Sequence, residues 1–304
     1  MPRPISAADA TPVRVVIVTM DTHLASATDR ARKMLARELP GLSIALHAAT
    51  EFSGDDSQLE RCRADIARAD IVLNAMLFME SHFSAIMPDL KARAPHCDAI
   101  LSILSDLEVM KLTRIGRFRM DSPQGGALAF IKRLKGSGRD RKASVASHQM
   151  KMLKRIPQIL RFIPGTAQDV RAYFLTLQYW LAGSEENIAN MIRALVDRYA
   201  DGARRHLRGT LKVAAPATYP EIGVYHPRMQ GRIAERADAL PREGKRGTVG
   251  LLGMRSYMLA GNAEHYDGVI RALEARGLSV VPAFSSGLDS RPAIEKFFVK
   301  DGRA

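Results

Sequence analysis

Short apolar runs alternate with amphipathic segments over the first hundred residues of the chain. Four runs rich in β-branched and aliphatic residues are typical of buried strands, at residues 13–20, 42–47, 70–78 and 98–104. Between them, apolar residues three and four positions apart predict helices over 24–39, 57–69 and 81–94. Strands that alternate with helices form a parallel sheet with helices on both faces. We therefore predict a doubly wound α/β domain over residues 13–140, after a flexible N-terminus over 1–12.

The pattern changes after the polar stretch from Gly136 to Lys142. Helical spacing near residues 143–161, 167–182 and 185–200, followed by a stretch rich in proline and glycine, predicts a helical and loop connector over 141–246. A new strand, helix, strand and helix follow at 248–254, 262–276, 278–282 and 291–299. We predict that residues 247–304 begin a second α/β domain. Since two parallel strands leave ladder groups exposed, we expect this domain to continue beyond Ala304.

Charge is concentrated in one segment. The formal net charge is +13, and residues 111–161 contain fourteen Lys or Arg against two acids, Asp121 and Asp140. Such a segment could bind nucleic acid, anionic lipid or an acidic partner, or form a solvated linker, which is the more general rule. Aromatic residues are sparse in the segment, so no base-stacking platform is indicated, and we predict no nucleic-acid partner.

Composition and motifs exclude several classes of protein. No apolar run is long enough to span a membrane, and the N-terminus lacks a secretory signal. Only two cysteines occur, which fits a reducing cytoplasm. No P-loop sequence is present, so we expect no ATP hydrolysis by this chain. Gly125-Gly126 precedes an apolar run and could begin a phosphate-binding helix, but a tight turn is the better interpretation.

Polar residues follow the first and third predicted strands. Asp21 and His23 could act as acid and base or hold a cation, whereas the simpler alternative is capping of the next helix by Asp21 or Thr22. Glu80, Ser81 and His82 follow the third strand and could meet them at one sheet edge. The spacing of these residues, like the adjacent pair His96 and Cys97, matches no metal motif, and we predict no metal site.

A segment between the domains has an unusual composition. Tyr219 to Pro227 contains two aromatic residues besides a histidine, and prolines that fix an extended path. Tyr225 and His226 could lie against a flat aromatic ligand, or the segment could be an ordered connector whose aromatic residues pack on a neighbouring domain. The sequence leaves both interpretations open.

The loop after the strand at 248–254 holds the densest group of candidate residues: Arg255, Ser256, Tyr257, Asn262 and His265. Arg255 could pair with a carboxylate, and His265 could bind a metal or move protons. Residues 284–290 follow the next strand and should lie beside this loop. Helix capping by Asn262 and Asp289 is the alternative, but two polar loops at one sheet edge favour a binding site.

Three stretches resemble one protein family, the large porphyrin-binding H subunit of magnesium chelatase. They are Val13 to Leu24, Tyr219 to Pro227, and Gly247 to Phe298, which includes Arg-Ser-Tyr-Met-Leu-Ala-Gly-Asn and Gly-Leu-Asp-Ser-Arg-Pro-Ala-Ile-Glu. Together they extend over essentially the whole chain. The third stretch is shared with the related large subunit of cobaltochelatase, so it does not separate magnesium from cobalt.

The resemblance implies a place in chlorophyll and bacteriochlorophyll biosynthesis. Members of the family bind protoporphyrin IX and take part in insertion of Mg²⁺, which is a substrate, while an AAA+ ATPase partner hydrolyses ATP and a third protein of the complex assists. They are several times longer than 304 residues, so we expect this portion to be inactive alone, and no catalytic residue is transferred. We predict substrate contacts from Tyr225, His226, Arg255, Tyr257, Asn262 and His265. The alternative functions are a non-catalytic porphyrin-binding or partner-docking module, and a cobaltochelatase homologue.

Overall fold

The computed structural model describes residues 10–121, 155–241, 244–287 and 289–299. Their contacts divide the chain into two compact units. The first unit comprises the described residues up to Leu181 together with Glu185–Pro216, and the second comprises Ala182–Ser184 and the described residues from Ala217 onward. Gly125-Gly126, and most of the basic segment at 111–161, lie outside the described residues.

The first unit is built on a six-stranded sheet. Its strands are β1 (Val13–Thr19), β2 (Leu42–Ala48), β3 (Ile71–Ala75), β4 (Ala99–Ile103), β5 (Arg114–Ile115) and β6 (Phe118–Arg119). The order is β2-β1-β3-β4-β5-β6, in which the first four strands are parallel and the last two are antiparallel additions at the edge. The four long strands occupy the four apolar runs that the sequence analysis identified.

Helices cover both faces of this sheet. They are α1 (Ala25–Leu35), α2 (Asp56–Arg68), α3 (Glu80–Phe83), α4 (Met87–Arg93), α5 (Leu107–Met110), α6 (Thr166–Ala182) and α7 (Glu185–Tyr199). The connection from β1 to β2 runs opposite to that from β2 to β3, so right-handed crossovers place α1 and α2 on opposite faces. The predicted doubly wound α/β fold is therefore confirmed.

Each face of the first sheet buries its own set of apolar residues. Alternate strand residues such as Val16, Val72 and Ile100 pack with Ile66 of α2 and Leu90 of α4. On the other face, α7 packs against α1, whose buried residues are Ala27, Thr28, Ala31 and Leu35. The predicted helices at 167–182 and 185–200 are present as α6 and α7, and they group with the first sheet rather than standing apart as a connector.

The second unit contains a four-stranded mixed sheet. Its strands are β7 (Ile222–Tyr225), β8 (Ile233–Ala234), β9 (Thr248–Met254) and β10 (Ser279–Ser285), in the order β8-β7-β10-β9. Its helices are α8 (Arg255–Leu259), α9 (Glu264–Glu274) and α10 (Arg291–Phe297). The β9 and β10 strands are parallel, whereas β7 is antiparallel to β10.

The second sheet differs from its prediction in one respect. The sequence predicts a connector up to residue 246, yet the end of that range contains β7 and β8, so the compact unit begins at Ala217 instead of residue 247. The prolines at 220 and 227 lie just outside β7, where they remove no donor from the ladder, and therefore they do not prevent a strand between them. This short strand supplies Val224 and Tyr225 to the core on the two faces of the sheet.

Candidate functional site

The loops that follow β9 and β10 begin side by side. In the parallel ladder Met254 lies opposite Ser285, so the two strands end at the same level. Four of the six predicted substrate-contacting residues lie in the segment that follows β9, whereas the other two, at the end of β7, bond to α9. Ligands of α/β proteins bind at such carboxyl ends of strands, so this edge is the candidate binding site.

Arg255, the first residue of α8, holds the preceding segment in place. Its Nε donates to the carbonyl of Pro220 at 2.8 Å and its Nη2 donates to the carbonyl of Tyr219 at 3.2 Å. Burial lowers the pKa of Arg255, an effect that the negative charge of Glu221 opposes. Because two of its donors are committed to backbone carbonyls, Arg255 positions the loop and stays cationic beside it.

Tyr225 and His226 lie inside the unit, with no exposed surface. The hydroxyl of Tyr225 donates to Oδ1 of Asp267 at 2.7 Å, and burial raises the pKa of Tyr225, so the phenol stays protonated. Nδ1 of His226 accepts from the backbone N–H of Arg228 at 3.2 Å, and its Nε2 lies 3.1 Å from Glu274. These bonds select the tautomer protonated at Nε2. Tyr225 and His226 are therefore buried residues that hold α9 in place.

Three aromatic rings form the accessible part of the site. The rings of Tyr257 and His265 are 5.4 Å apart and nearly perpendicular, and the rings of His265 and Tyr266 are 4.0 Å apart. The Tyr266 hydroxyl accepts from the backbone N–H of Met254 at 3.0 Å and so ties α9 to the end of β9. His265 is exposed, and Met254 has 54% of its surface exposed, so an apolar and aromatic face borders the loop. Tyr266 was not among the predicted substrate contacts, although the sequence pattern places it near the start of the helix that follows the loop.

The remaining residues close the two loops. The backbone N–H of Asn262 donates to the carbonyl of Tyr257 at 2.9 Å, which completes the turn after α8. In the second loop the hydroxyl of Ser285 donates to the carbonyl of Asp289 at 2.7 Å. The Arg291 guanidinium binds the Asp289 carboxylate and lowers its pKa to about 2. The site is thus an ordered surface with Tyr257 and His265 on it, and the others beneath or beside them.

The candidate residues of the first unit form a smaller arrangement. Oδ1 of Asp21 accepts from the backbone N–H of His23 at 3.0 Å and also contacts its Nδ1. Neither Asp21 nor Thr22 caps α1 with a side chain, because the helix begins later, at Ala25, after an uncapped Leu24. The His23 ring is buried edge-on against Trp180, at 6.3 Å.

The other candidates of the first unit do not join Asp21 and His23 in a metal cluster. Across the described ranges, no group of three His, Cys, Asp or Glu side chains could hold a metal ion. His82 is buried with its Nδ1 unpaired, whereas Glu80 and Ser81 are exposed. His96 is exposed, and burial raises the pKa of the neighbouring Cys97 to about 11, so the thiol stays protonated and unreactive.

A charged network at the opposite edge of the first sheet was not predicted. Arg204 makes a forked pair with Asp98, at 2.8 and 2.9 Å, and reaches Asp70 at 3.2 Å. Arg14 and Arg93 also approach the buried carboxylate of Asp70. The sequence shows an acid immediately before β3 and another before β4, Asp70 and Asp98. Arg204 is too distant from them in sequence for the ion pairs to be predicted. The network joins the residues after α7 to the sheet.

Two family descriptions match the chain. Residues 14–174 match a domain of unknown function, DUF3479, and residues 177–304 match CobN/Magnesium Chelatase. The aromatic site lies within the second match. In the part of the chain that the structure covers, no helix has the length and apolar character that a membrane crossing requires.

The magnesium-chelatase H subunits of two bacteria confirm the resemblance seen in the sequence. The chain is 43% identical to the protein of Cereibacter sphaeroides and 45% identical to that of Rhodobacter capsulatus, over 93% of its own length and 24% of theirs. It is 28% identical to the chloroplastic ChlH protein of Oryza sativa subsp. indica, over 94% of this chain and 21% of that one. The chain therefore spans about a quarter of the length of the curated relatives it matches.

Among solved structures, the catalytic subunit of cobaltochelatase from Mycobacterium tuberculosis aligns with 94% of this chain and 18% of its own, at 14% identity and a TM-score of 0.46. The assignment rests on the sequence matches, which are far stronger. The chain belongs to the DUF3479 family over residues 14–174, carries a CobN/Magnesium Chelatase segment over residues 177–304, and is a homologue of magnesium-chelatase H subunits.

Proposed function

We propose that this chain acts as part of a magnesium-chelatase H subunit, in the ATP-dependent insertion of Mg²⁺ into protoporphyrin IX during chlorophyll or bacteriochlorophyll synthesis. The observation that carries the proposal is the 43–45% identity to magnesium-chelatase H subunits, over 93% of the chain. Identity at this level across both compact units supports a shared role more strongly than any single motif does.

The proposed partners divide the chemistry among several chains. An AAA+ ATPase partner hydrolyses ATP, which fits the lack of a P-loop in this sequence, and a third protein completes the assembly. Mg²⁺ enters as a substrate. The proposed location is the cytoplasm, where Cys62 and Cys97 stay reduced. We expect this chain to insert no metal without the two partner proteins and the remainder of an H subunit.

The face formed by Tyr257, His265 and Met254 is the proposed contact for the porphyrin. Protoporphyrin IX is a flat aromatic ring, and aromatic side chains bind such rings by offset stacking or edge contacts. Tyr257 and His265 lie on the accessible surface, whereas Tyr225 and His226 fix α9 from the buried side.

Two further residues of the predicted set have a supporting role in this proposal. Arg255 joins the start of α8, the helix that carries Tyr257, to the carbonyls of Tyr219 and Pro220, and the backbone N–H of Asn262 closes the turn after that helix. A segment fixed in this way keeps the aromatic face in one arrangement before the porphyrin arrives, which lowers the entropic cost of binding.

An exchange experiment tests the proposal. This chain replaces the corresponding segment of the Cereibacter sphaeroides H subunit, and Mg-protoporphyrin formation is measured with the partner proteins and ATP. We expect activity in the exchanged protein, and a KM for protoporphyrin about tenfold higher when His265→Ala removes one ring of the face.

The matched control is His96→Ala, which removes an exposed imidazole from the first unit and should leave the KM unchanged. An exchanged protein that folds and still binds the ATPase, but forms no product, would contradict the proposed function. An unchanged KM in the His265→Ala variant would refute the porphyrin face alone.

A further inference from the structure

The carboxyl edge of the first sheet is uniformly acidic. The four segments that follow β1 to β4, at residues 20–24, 49–56, 76–80 and 104–108, contain seven Asp or Glu and no Lys or Arg. The acids of this acidic edge are Asp21, Glu51, Asp55, Asp56, Glu80, Asp106 and Glu108. These acids are therefore concentrated at one edge of a sheet, in a chain whose net charge is +13.

Four of these carboxylates have partners of their own. Asp21 bonds to His23, Asp55 and Asp106 cap the helices α2 and α5, and Glu108 pairs with Lys111 at 2.5 Å. The carboxylates of Glu51, Asp56 and Glu80 are exposed and make no ion pair or hydrogen bond within the described residues. The helix that begins at Glu80 packs against residues 49–51, so Glu51 and Glu80 lie on neighbouring segments.

Three large apolar side chains are exposed among these acids. The exposed fractions are 54% for Phe78, 59% for Met79 and 62% for Leu107. Phe78 and Met79 follow β3, and Leu107 follows β4, the strand next to it in the sheet. Exposed apolar groups that cluster beside polar ones mark interaction sites, and phenylalanine and methionine are enriched in the cores of protein interfaces.

The backbone beneath this apolar cluster is fixed. The N–H of Met76 donates to the carbonyl of Ile103 at 3.2 Å, that of Leu77 to the hydroxyl of Ser105 at 3.1 Å, and that of Asp106 to the carbonyl of Leu77 at 2.8 Å. Met76 and Leu104 have positive φ angles of 61° and 47°, which bulky residues adopt only when the surroundings impose them. A surface held this rigidly loses little conformational entropy on binding.

We propose that the acidic edge is a docking surface for a basic protein segment that presents apolar side chains. Lys or Arg side chains of the partner would pair with Glu51, Asp56 and Glu80, while its apolar side chains would pack on Phe78, Met79 and Leu107. Charge complementarity supports this class of occupant, because the same edge repels nucleic acid and anionic lipid. The proposal concerns the first unit and does not depend on the porphyrin face of the second.

A peptide titration of the full chain tests the docking surface. The probe is a fluorescent amphipathic helix of about 18 Leu and Lys residues, compared with a Leu and Glu peptide of the same pattern. We expect saturable binding of the Lys peptide that weakens as salt rises, and none of the Glu peptide. The double variant Phe78→Ser with Leu107→Ser, and separately Asp56→Lys with Glu80→Lys, should each weaken binding about tenfold.

Matched controls lie in the second unit. Val269→Ser and Glu295→Lys make similar changes at exposed positions of α9 and α10 and should alter binding by less than about twofold. Trp180 emission verifies that the acidic-edge variants are folded, and far-ultraviolet circular dichroism verifies the same for the two controls in the second unit. The proposal is overturned if the acidic-edge variants bind like wild type, if the controls weaken binding equally, or if the Glu peptide binds as well. The proposal would also be overturned if the chain associates with itself and Phe78→Ser abolishes that association, because the surface would then bind a second copy of the chain.

Discussion

Asp21 and His23 form one hydrogen-bonded pair beside the single tryptophan of the chain. The His23 ring meets Trp180 at 87°, and the bond to the His23 side chain lowers the pKa of Asp21 below its ordinary value of 3.8. A carboxyl group whose folded pKa is lowered stabilises the fold above its unfolded pKa. That stabilisation disappears as the pH falls through the lower, folded pKa. The pair therefore couples acid stability to the surroundings of Trp180.

We predict that Asp21→Asn reduces the loss of stability as the pH falls below the ordinary carboxyl pKa of 3.8, because the neutral amide has no proton to take up. Urea unfolding at several pH values, followed by Trp180 emission, measures the effect. Asp56→Asn is the matched control, since its carboxylate has no ion pair within the described residues, and it should keep the wild-type profile. Identical profiles for wild type and Asp21→Asn would show that the Asp21–His23 bond contributes nothing to acid stability.

At the scale of elements, the turn between β5 and β6 depends on one glycine. Gly116 has a φ of 55°, and a Cβ built there would lie 2.6 Å from Oδ2 of Asp169. That carboxylate accepts from the backbone N–H of Arg117 at 2.9 Å and from the Tyr199 hydroxyl at 3.0 Å, and it pairs with Arg198. A side chain at Gly116 would thus disturb a largely buried network that joins the edge hairpin to α6 and α7.

Gly116→Ala should lower the free energy of unfolding by about 3 kcal/mol, of which roughly 1–2 kcal/mol is left-handed strain and the rest the displaced carboxylate. Gly165→Ala is the matched control, because Gly165 has a φ of 76° with open space around it, and it should lose only the strain component. Urea unfolding measures the free energy of unfolding of both variants. Equal decreases in the two would mean that displacing the Asp169 carboxylate does not destabilise the protein.

The elements also show how far the sequence alone can lead. The strands β1, β3 and β4 are buried on both faces, so each is a continuous apolar run that periodicity detects. By contrast β5, β6 and β8 have two residues each, and β7 has four residues bordered by prolines, which is too short for a periodic signal. Their pairing is decided by neighbours distant in sequence.

In the candidate site, too, the sequence predicted what neighbouring residues determine but not the contacts between residues distant in sequence. The sequence grouped Arg255, Tyr257, Asn262 and His265 around one loop at a strand end. In the structure all four follow β9, with Arg255 and Tyr257 in α8, Asn262 between the two helices and His265 in α9. The sequence could not show that the Arg255 guanidinium donates hydrogen bonds to the backbone carbonyls of residues 219 and 220. That contact follows from the antiparallel pairing of β7 with β10. The substrate-binding role of the six residues stays a prediction.

At the scale of the whole molecule, each unit assembles its own core. The first sheet buries residues such as Val72 and Ile100 with α2 and α4, and the second buries Tyr225, Ile270 and Phe284 with α9. Both are α/β layers in which the helices supply the second half of the core. Two cores without shared members favour two unfolding transitions over one.

This separation leads to a prediction that two optical signals together can test. Trp180 lies in the first unit and is the single tryptophan, so its emission reports on that unit alone. Phe284→Ala removes a fully buried ring from the second core, which costs about 3–5 kcal/mol. We expect it to shift part of the far-ultraviolet circular dichroism transition to lower urea while the Trp180 midpoint stays constant. Ile100→Ala, in the first core, should instead move the Trp180 midpoint. If Phe284→Ala moves that midpoint as far as Ile100→Ala does, the two units unfold as one cooperative body.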